Sequence, residues 1–250
     1  AHRGDYKLSA VVDSMYEGTR EKVKNFINAK YNSEIVFTSG TTNSMNMIVF
    51  GFFKNYLKKD DEVLITLSEH ASNIVPWFIL QKEIGIKVKY IELDDKNEVN
   101  IDNVKKAITD KTKVISLAHV TNVIGDIRPI KEISKLAHDN NIMLVVDAAQ
   151  SIAHIKVDVQ DLDIDFMSFS GHKMYASTGT GVLYGKRKYL DLMPPFMGGG
   201  EMISSVSFAK TTYAPIPGKF EAGTQSFNVI PTFKDAIEVW KLLNSKELEQ

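Results

Sequence analysis

The run Met143-Leu144-Val145-Val146-Asp147 sets four consecutive apolar residues ahead of a single carboxylate. A strand that is apolar on both of its alternating faces must be covered above and below, as in a parallel sheet sandwiched by helices. Similar short runs recur along the chain. Strands are predicted over Glu34–Thr38, Glu62–Leu67, Lys87–Ile91, Lys113–Ala118, Ile142–Asp147, Ile164–Phe169 and Gly181–Tyr184. Helices are predicted between and after them, over Asp13–Asn28, Thr42–Lys58, Pro76–Ile84, Ile101–Ile108, Ile130–Asn140 and Thr232–Leu243. Ile130, Ile133, Leu136 and Ala137 recur at the spacing of a helix with one buried face. Strands alternating with helices define an α/β fold, with a mostly parallel central sheet and helices on both faces. The Pro/Gly-rich stretch Pro194–Gly200, followed by Ser204–Ser207, reads as an exposed excursion or lid. No linker divides the chain, so residues 1–231 are expected to form one large domain, with the helix in 232–250 leading onward.

Composition narrows the function classes. The 250 residues carry a net charge of −1, with 44% hydrophobic and 24% charged residues, as in an ordinary soluble domain. No basic stripe points to nucleic acid as a partner. The longest apolar stretches are far too short to cross a bilayer, so no membrane partner is expected. The opening Ala1-His2-Arg3-Gly4 lacks both Met and a basic-then-apolar leader, so the chain is expected to begin inside a longer one. A cytoplasmic location is the expectation, an organelle being left open by the missing start. The chain has no cysteine, which removes disulfides and thiolate metal sites, and no metal is expected.

Ligands of open parallel sheets bind at the carboxyl ends of the strands. Asp147 stands at one such end, and Ser170-Gly171-His172-Lys173 follows another. A lysine there can form an imine with an aldehyde, and an aspartate can hold a pyridine nitrogen protonated. Pyridoxal 5′-phosphate (PLP) asks for that pair. A buried carboxylate is costly without a charged partner, and a protonated pyridine would supply one. Phe37-Thr38-Ser39-Gly40-Thr41-Thr42 takes a strand into a helix, where free N–H groups and hydroxyls suit a phosphate. A plain N-cap is the alternative for those hydroxyls. His70 begins a connection after the second strand and could stack on the ring and relay protons, although a lone loop histidine is commonly just solvated. Asn122 could bond the ring's phenolic oxygen or a substrate carboxylate, or simply form a turn. Gln150 can donate to the ring oxygen, and Ser170 and His172 can reach the phosphate.

In order and spacing these segments resemble the class V aminotransferase-like PLP enzymes of fold type I, and within them the SufS/CsdA-type cysteine desulfurases. The landmarks are His2-Arg3-Gly4, Phe37–Thr42, Glu69–Trp77, His119–Gly125, Asp147–Gln150, Ser170–Lys173, Gly198–Met202 and Phe220-Glu221-Ala222-Gly223-Thr224. The resemblance implies that Lys173 carries the cofactor as an imine, Asp147 pairs the ring nitrogen and His70 stacks on the ring. It implies Gln150 at the ring oxygen, with Thr42, Ser170 and His172 at the phosphate. Thr224 would reach the phosphate of the other subunit in a homodimer, whose interface would lie near Gly198–Met202. The implied reaction converts L-cysteine, or selenocysteine, to alanine and passes sulfur to an enzyme cysteine, then to an acceptor protein for iron–sulfur cluster assembly.

Two departures stand out. The enzyme cysteine that such desulfurases need is absent, so the sequence is expected to stop before a small C-terminal domain that would hold it, and to be inactive as it stands. Ala176-Ser177 and Gln225-Ser226 also replace the Gly-Pro and Pro-Asn that the resemblance leads one to expect. A related lyase, epimerase or aminotransferase that needs no enzyme thiol is the first alternative. A non-catalytic scaffold on the same fold is the second.

Overall fold

The computed structural model describes residues 6–207 and 210–244. The landmark His2-Arg3-Gly4 and the last residues of the 232–250 segment lie outside the described residues. Helix α1 (Lys7–Phe26) leads into strand β1 (Ile35–Thr38). Next, α2 (Thr41–Asn46), a π-helical stretch Met47–Phe53 and α3 (Lys54–Tyr56) run on end to end. They are followed by β2 (Glu62–Ile65), α4 (Val75–Ile84), β3 (Lys87–Tyr90), α5 (Ile101–Ala107) and β4 (Thr112–Ala118). Then come α6 (Ile130–Asp139), β5 (Met143–Asp147), α7 (Ser151–His154), β6 (Phe166–Ser170) and β7 (Gly181–Gly185). Helix α8 (Arg187–Leu192), the hairpin β8 (Ile203–Val206) and β9 (Thr211–Tyr213), and α9 (Thr232–Leu243) complete the described chain.

Seven strands form one sheet in the order β1-β7-β6-β5-β4-β2-β3. The pairs β2–β3, β2–β4, β4–β5 and β5–β6 are parallel, and β7 runs antiparallel to both β6 and β1. Because β7 reverses twice against its neighbours, β1 points the same way as β6. The carboxyl ends of β1, β2, β4, β5 and β6 therefore open on one edge.

Burial follows the two-residue period of a strand. Leu144 and Val146 face a core shared with Tyr16, Ile133, Ile152, Phe233 and Ile237, while Val145 faces Phe53, Trp77, Phe166 and Leu190 on the other side. Helices thus cover both faces. The edge strand β3 is the exception, exposed or half-exposed along its length.

All seven predicted strands are present, displaced at their ends by one or two residues. Two short helices, α7 and α8, had no sequence signal. Helix α1 begins at Lys7, six residues before the predicted start, and its buried face includes Ser9, Thr19 and Arg20. The polar character of that face masked its periodicity. The guanidinium of Arg20 is held by Glu221 at 2.8 and 2.9 Å and lies over the Phe37 ring. The stretch read as an excursion carries the exposed hairpin β8–β9. Helix α9 packs Phe233, Ala236 and Ile237 into the common core, and Trp240 meets Phe26 edge-on at 5.1 Å.

Candidate active site

The carboxyl edge of the sheet encloses a cleft of about 230 Å³. Thr41 and Thr42 line it from the start of α2, His70 and Ser72 from the turn after β2, and Ala118, Val120 and Asn122 from the turn after β4. Asp147, Ala149 and Gln150 enter from the end of β5, and Ser170, His172 and Lys173 from the end of β6. Every site residue expected from the sequence is brought together here except Thr224. That residue is exposed, outside the cleft, in the segment before α9.

Close backbone packing shapes one end of the cleft. Gly40 has φ 147°, a conformation open to glycine and strained for other residues. The α-carbon of Gly40 lies where a Cβ on Gly181 would fall, 2.4 Å away. With no side chain at Gly181, the Ser39–Thr41 turn settles onto the sheet. Thr41 N–H then donates to Ser170 Oγ at 2.8 Å, and the two hydroxyls share a 2.8 Å hydrogen bond. The result is a small cup of hydroxyls at the start of a long helix, suited to an anion.

Asp147 is 3% exposed. Its Oδ1 accepts from Ala149 N–H at 2.9 Å, and it has no ion-pair partner among the described residues. Burial pushes its carboxyl up to about 6. The Ala149 bond opposes that, the Glu69 carboxylate adds to it, and Lys173 and His70 draw it back down. A cation seated in the cleft would relieve this uncompensated carboxylate.

Behind His70 lies a polar network buried from water. Arg128 and Glu69 form an ion pair with both side chains fully buried. Glu69 also accepts from Thr66 Oγ1 at 2.8 Å, Asn73 Nδ2 at 2.8 Å and Ala118 N–H at 2.7 Å. Arg128 donates further to Thr66 Oγ1 and Ser68 Oγ, each at 2.8 Å. The turn that carries His70 is thereby fixed to the end of β4. The Asn122 turn closes on the same group: Arg128 N–H donates to His119 O at 3.0 Å, and Thr121 N–H to Asp126 O at 3.1 Å. The site reading from sequence did not single out Arg128, Glu69 or Ser72. A buried arginine in the loop Gly125-Asp126-Ile127-Arg128 looks, in sequence, like any solvated basic residue. Buried His119, at the same turn, has no partner for Nδ1 among the described residues, and desolvation pushes it down to about 4.

The residues present fit a phosphorylated pyridine aldehyde. A buried carboxylate without a counter-ion, a primary amine at Lys173 and a hydroxyl cup at a helix start share one cleft. Each matches a different part of such a molecule.

Comparison with known proteins agrees with the fold. The sequence profile of the aminotransferase class-V family matches residues 1–250, and the chain belongs to that family. A probable cysteine desulfurase of Halalkalibacterium halodurans is 44% identical over 223 residues, covering 89% of this chain and 55% of that protein. A probable cysteine desulfurase of Vibrio cholerae is 40% identical over 248 residues, covering 99% of this chain and 61% of the relative. The chain thus spans little more than half the length of these relatives. Among solved structures, the Escherichia coli cysteine desulfurase CsdA superposes with a TM-score of 0.90 at 36% identity, covering 98% of this chain and 61% of that one. A cysteine desulfurase from Thermococcus onnurineus gives 0.92 at 35% identity, covering 97% and 60%.

Proposed function

We propose that the chain is the PLP-binding large domain of a cysteine desulfurase, acting on L-cysteine or selenocysteine. The observation that carries this reading is the convergence of Lys173, Asp147 and the Thr41–Ser170 cup on one cleft. Relatives named as cysteine desulfurases at 40 and 44% identity support the choice of reaction. When bound, PLP supplies an electron sink for negative charge developing at the substrate Cα.

The chain's own residues then have separable tasks. Lys173 would hold the cofactor through Nζ, and the same amine, when free, would take the substrate Cα proton. Asp147 keeps the ring nitrogen protonated. The His70 ring would cover the pyridine face, Gln150 would bond the ring oxygen, and Asn122 would bond the ring oxygen or the substrate carboxylate. Thr41, Thr42, Ser170 and His172 hold the phosphate, with Thr224 serving the partner copy's phosphate in a homodimer. The chain contains no cysteine. On this reading the thiolate that receives sulfur, which reacts as thiolate and not thiol, is supplied from outside these 250 residues. A sulfur-acceptor protein, iron–sulfur cluster assembly and a cytoplasmic setting complete the reading. A class V reaction that needs no enzyme thiol, such as a lyase, epimerase or aminotransferase, is the second reading, favoured by that same lack of cysteine.

The test is alanine release from L-cysteine by the longest native form of the protein, supplied with PLP. Alanine with stoichiometric persulfide supports the desulfurase. No alanine from a PLP-loaded protein transfers the function to the second reading.

A further inference from the structure

We propose that Ser72 is a positioning residue for His70, holding its imidazole in the tautomer with the proton on Nε2. The inference deepens the PLP-site reading and rests on it for its functional meaning, though not for its geometry. His70 is the residue before a short helical turn, Ala71–Asn73, and its ring nitrogen takes the place of a capping oxygen. Ser72 N–H points at His70 Nδ1 from 3.2 Å, a long contact that favours Nδ1 as the acceptor without fixing it. Ser72 Oγ lies 2.8 Å from the same nitrogen, and with Nδ1 already facing the backbone N–H, the inferred role of that hydroxyl is the second and shorter donor. A lone pair engaged in this way cannot also carry the proton. Nε2 must then be the N–H, since a neutral imidazole has one donor and one acceptor.

The turn itself has little freedom to relax. Asn73 N–H donates to His70 O at 2.8 Å. The Asn73 side chain bonds Glu69 Oε2 at 2.8 Å and accepts from Ser116 Oγ at 2.5 Å. Ser72 is 7% exposed and lines the cleft beside His70, whose ring is exposed. The backbone fixes where the ring is attached, and Ser72 fixes how it is turned and which nitrogen can donate into the cleft. A free imidazole would divide its proton between both nitrogens and rotate about its side-chain bonds.

Long-range proton–nitrogen NMR of the whole chain, with histidine nitrogens labelled and His70 assigned by comparison with His70→Gln, reads the tautomer directly. The expected wild-type result at alkaline pH is one species, with Nδ1 as acceptor and Nε2 protonated. Ser72→Ala keeps the backbone donor, and its His70 signals should move toward an average of the two tautomers. Ser72→Thr, which retains the hydroxyl, should restore the wild-type pattern. Cofactor retention by Ser72→Ala should fall by about three- to tenfold, the effect of losing one neutral hydrogen bond. A wild-type His70 protonated on Nδ1, or a Ser72→Ala spectrum identical to wild type, would overturn the proposal. Failure of the wild-type chain to take up PLP would instead overturn the functional reading, and the tautomer result would stand without it.

Discussion

Thr41 and Ser170, 129 positions apart in sequence, share a 2.8 Å hydroxyl contact that joins the start of α2 to the end of β6. The contact exists because two glycines let backbones approach where side chains would keep them apart. Strand β7 begins at Gly181, paired with Thr38 on one side and Ser170 on the other. Gly40 sits directly over it. The cup is therefore set by the sheet and not by the loop alone.

Gly181→Ala tests this dependence. The added Cβ would fall 2.4 Å from Gly40 Cα and 2.7 Å from Gly40 N, both backbone atoms with no rotamer to change. Overpacking of this kind costs about 1–3 kcal/mol. The expected outcome is a lower denaturant midpoint together with weaker retention of phosphate-bearing cofactor. Unchanged cofactor affinity in a destabilised protein would show that the cup is not where the phosphate binds.

Lys173 and Asp147 make separate predictions. Lys173→Ala should abolish the absorbance band of lysine-linked cofactor, and an unchanged spectrum would refute its role. On the proposed reading Asp147 would serve the ring nitrogen only as a carboxylate, and burial holds its carboxyl up at about 6 in the cofactor-free chain. PLP affinity measured by equilibrium dialysis should therefore fall as pH drops below about 6. It should level off lower down, because the bound cation draws the carboxyl's pKa back. In Asp147→Asn the affinity should be weaker throughout and lack that limb. Parallel pH profiles for the two proteins would mean that the ring nitrogen has another partner.

Much of this site was legible in sequence because its signals are local. An apolar strand ending in Asp147, and a strand ending in Ser170-Gly171-His172-Lys173, each mark a carboxyl edge within a few residues. What sequence reading missed depends on contacts between distant segments. Arg128 and Glu69 are 59 positions apart, and each alone resembles a solvated charge. Ser72 gives no signal of its own until the turn folds its hydroxyl back onto His70. The early start of α1 was hidden because its first residues, 7–12, bury the polar Ser9 and leave Leu8 and Val11 exposed, so no apolar face marks them.

The Arg128–Glu69 pair should matter more as a broken pair than as an intact one. Arg128→Met leaves Glu69 buried, charged and close to Asp147, which costs about 3–5 kcal/mol when one partner of a buried pair is removed. Adding Glu69→Gln removes the stranded charge and keeps a side chain that can still meet Asn73 and Ala118 N–H. The double variant should be the more stable of the two in denaturant titrations. Equal stabilities would show that Arg128 acts through packing and not charge.

The opposite edge of the sheet supplies a pH-dependent clasp. His138 places Nδ1 2.8 Å from Asp163 and Nε2 2.8 Å from Asp165, so both nitrogens face carboxylates. The Asp165 bond raises the His138 pKa; burial and Lys186 oppose this. Asp165 is 0% exposed, and although burial opposes it, His138 and Lys186 hold its carboxyl below the usual range. A histidine whose folded value exceeds its unfolded one, about 6.5, binds more protons when folded. The stability it contributes is complete below that unfolded value and is lost as pH rises through the folded value. Asp147 is raised as well, but its contribution fades earlier, between the unfolded carboxyl value near 4 and about 6. Above pH 6.5 the two effects separate. The denaturant midpoint of the cofactor-free chain should decline from pH 6.5 to 8, and His138→Gln should flatten that decline while leaving the slope between pH 4 and 6 in place. An undiminished decline in His138→Gln would assign the alkaline loss of stability to another group.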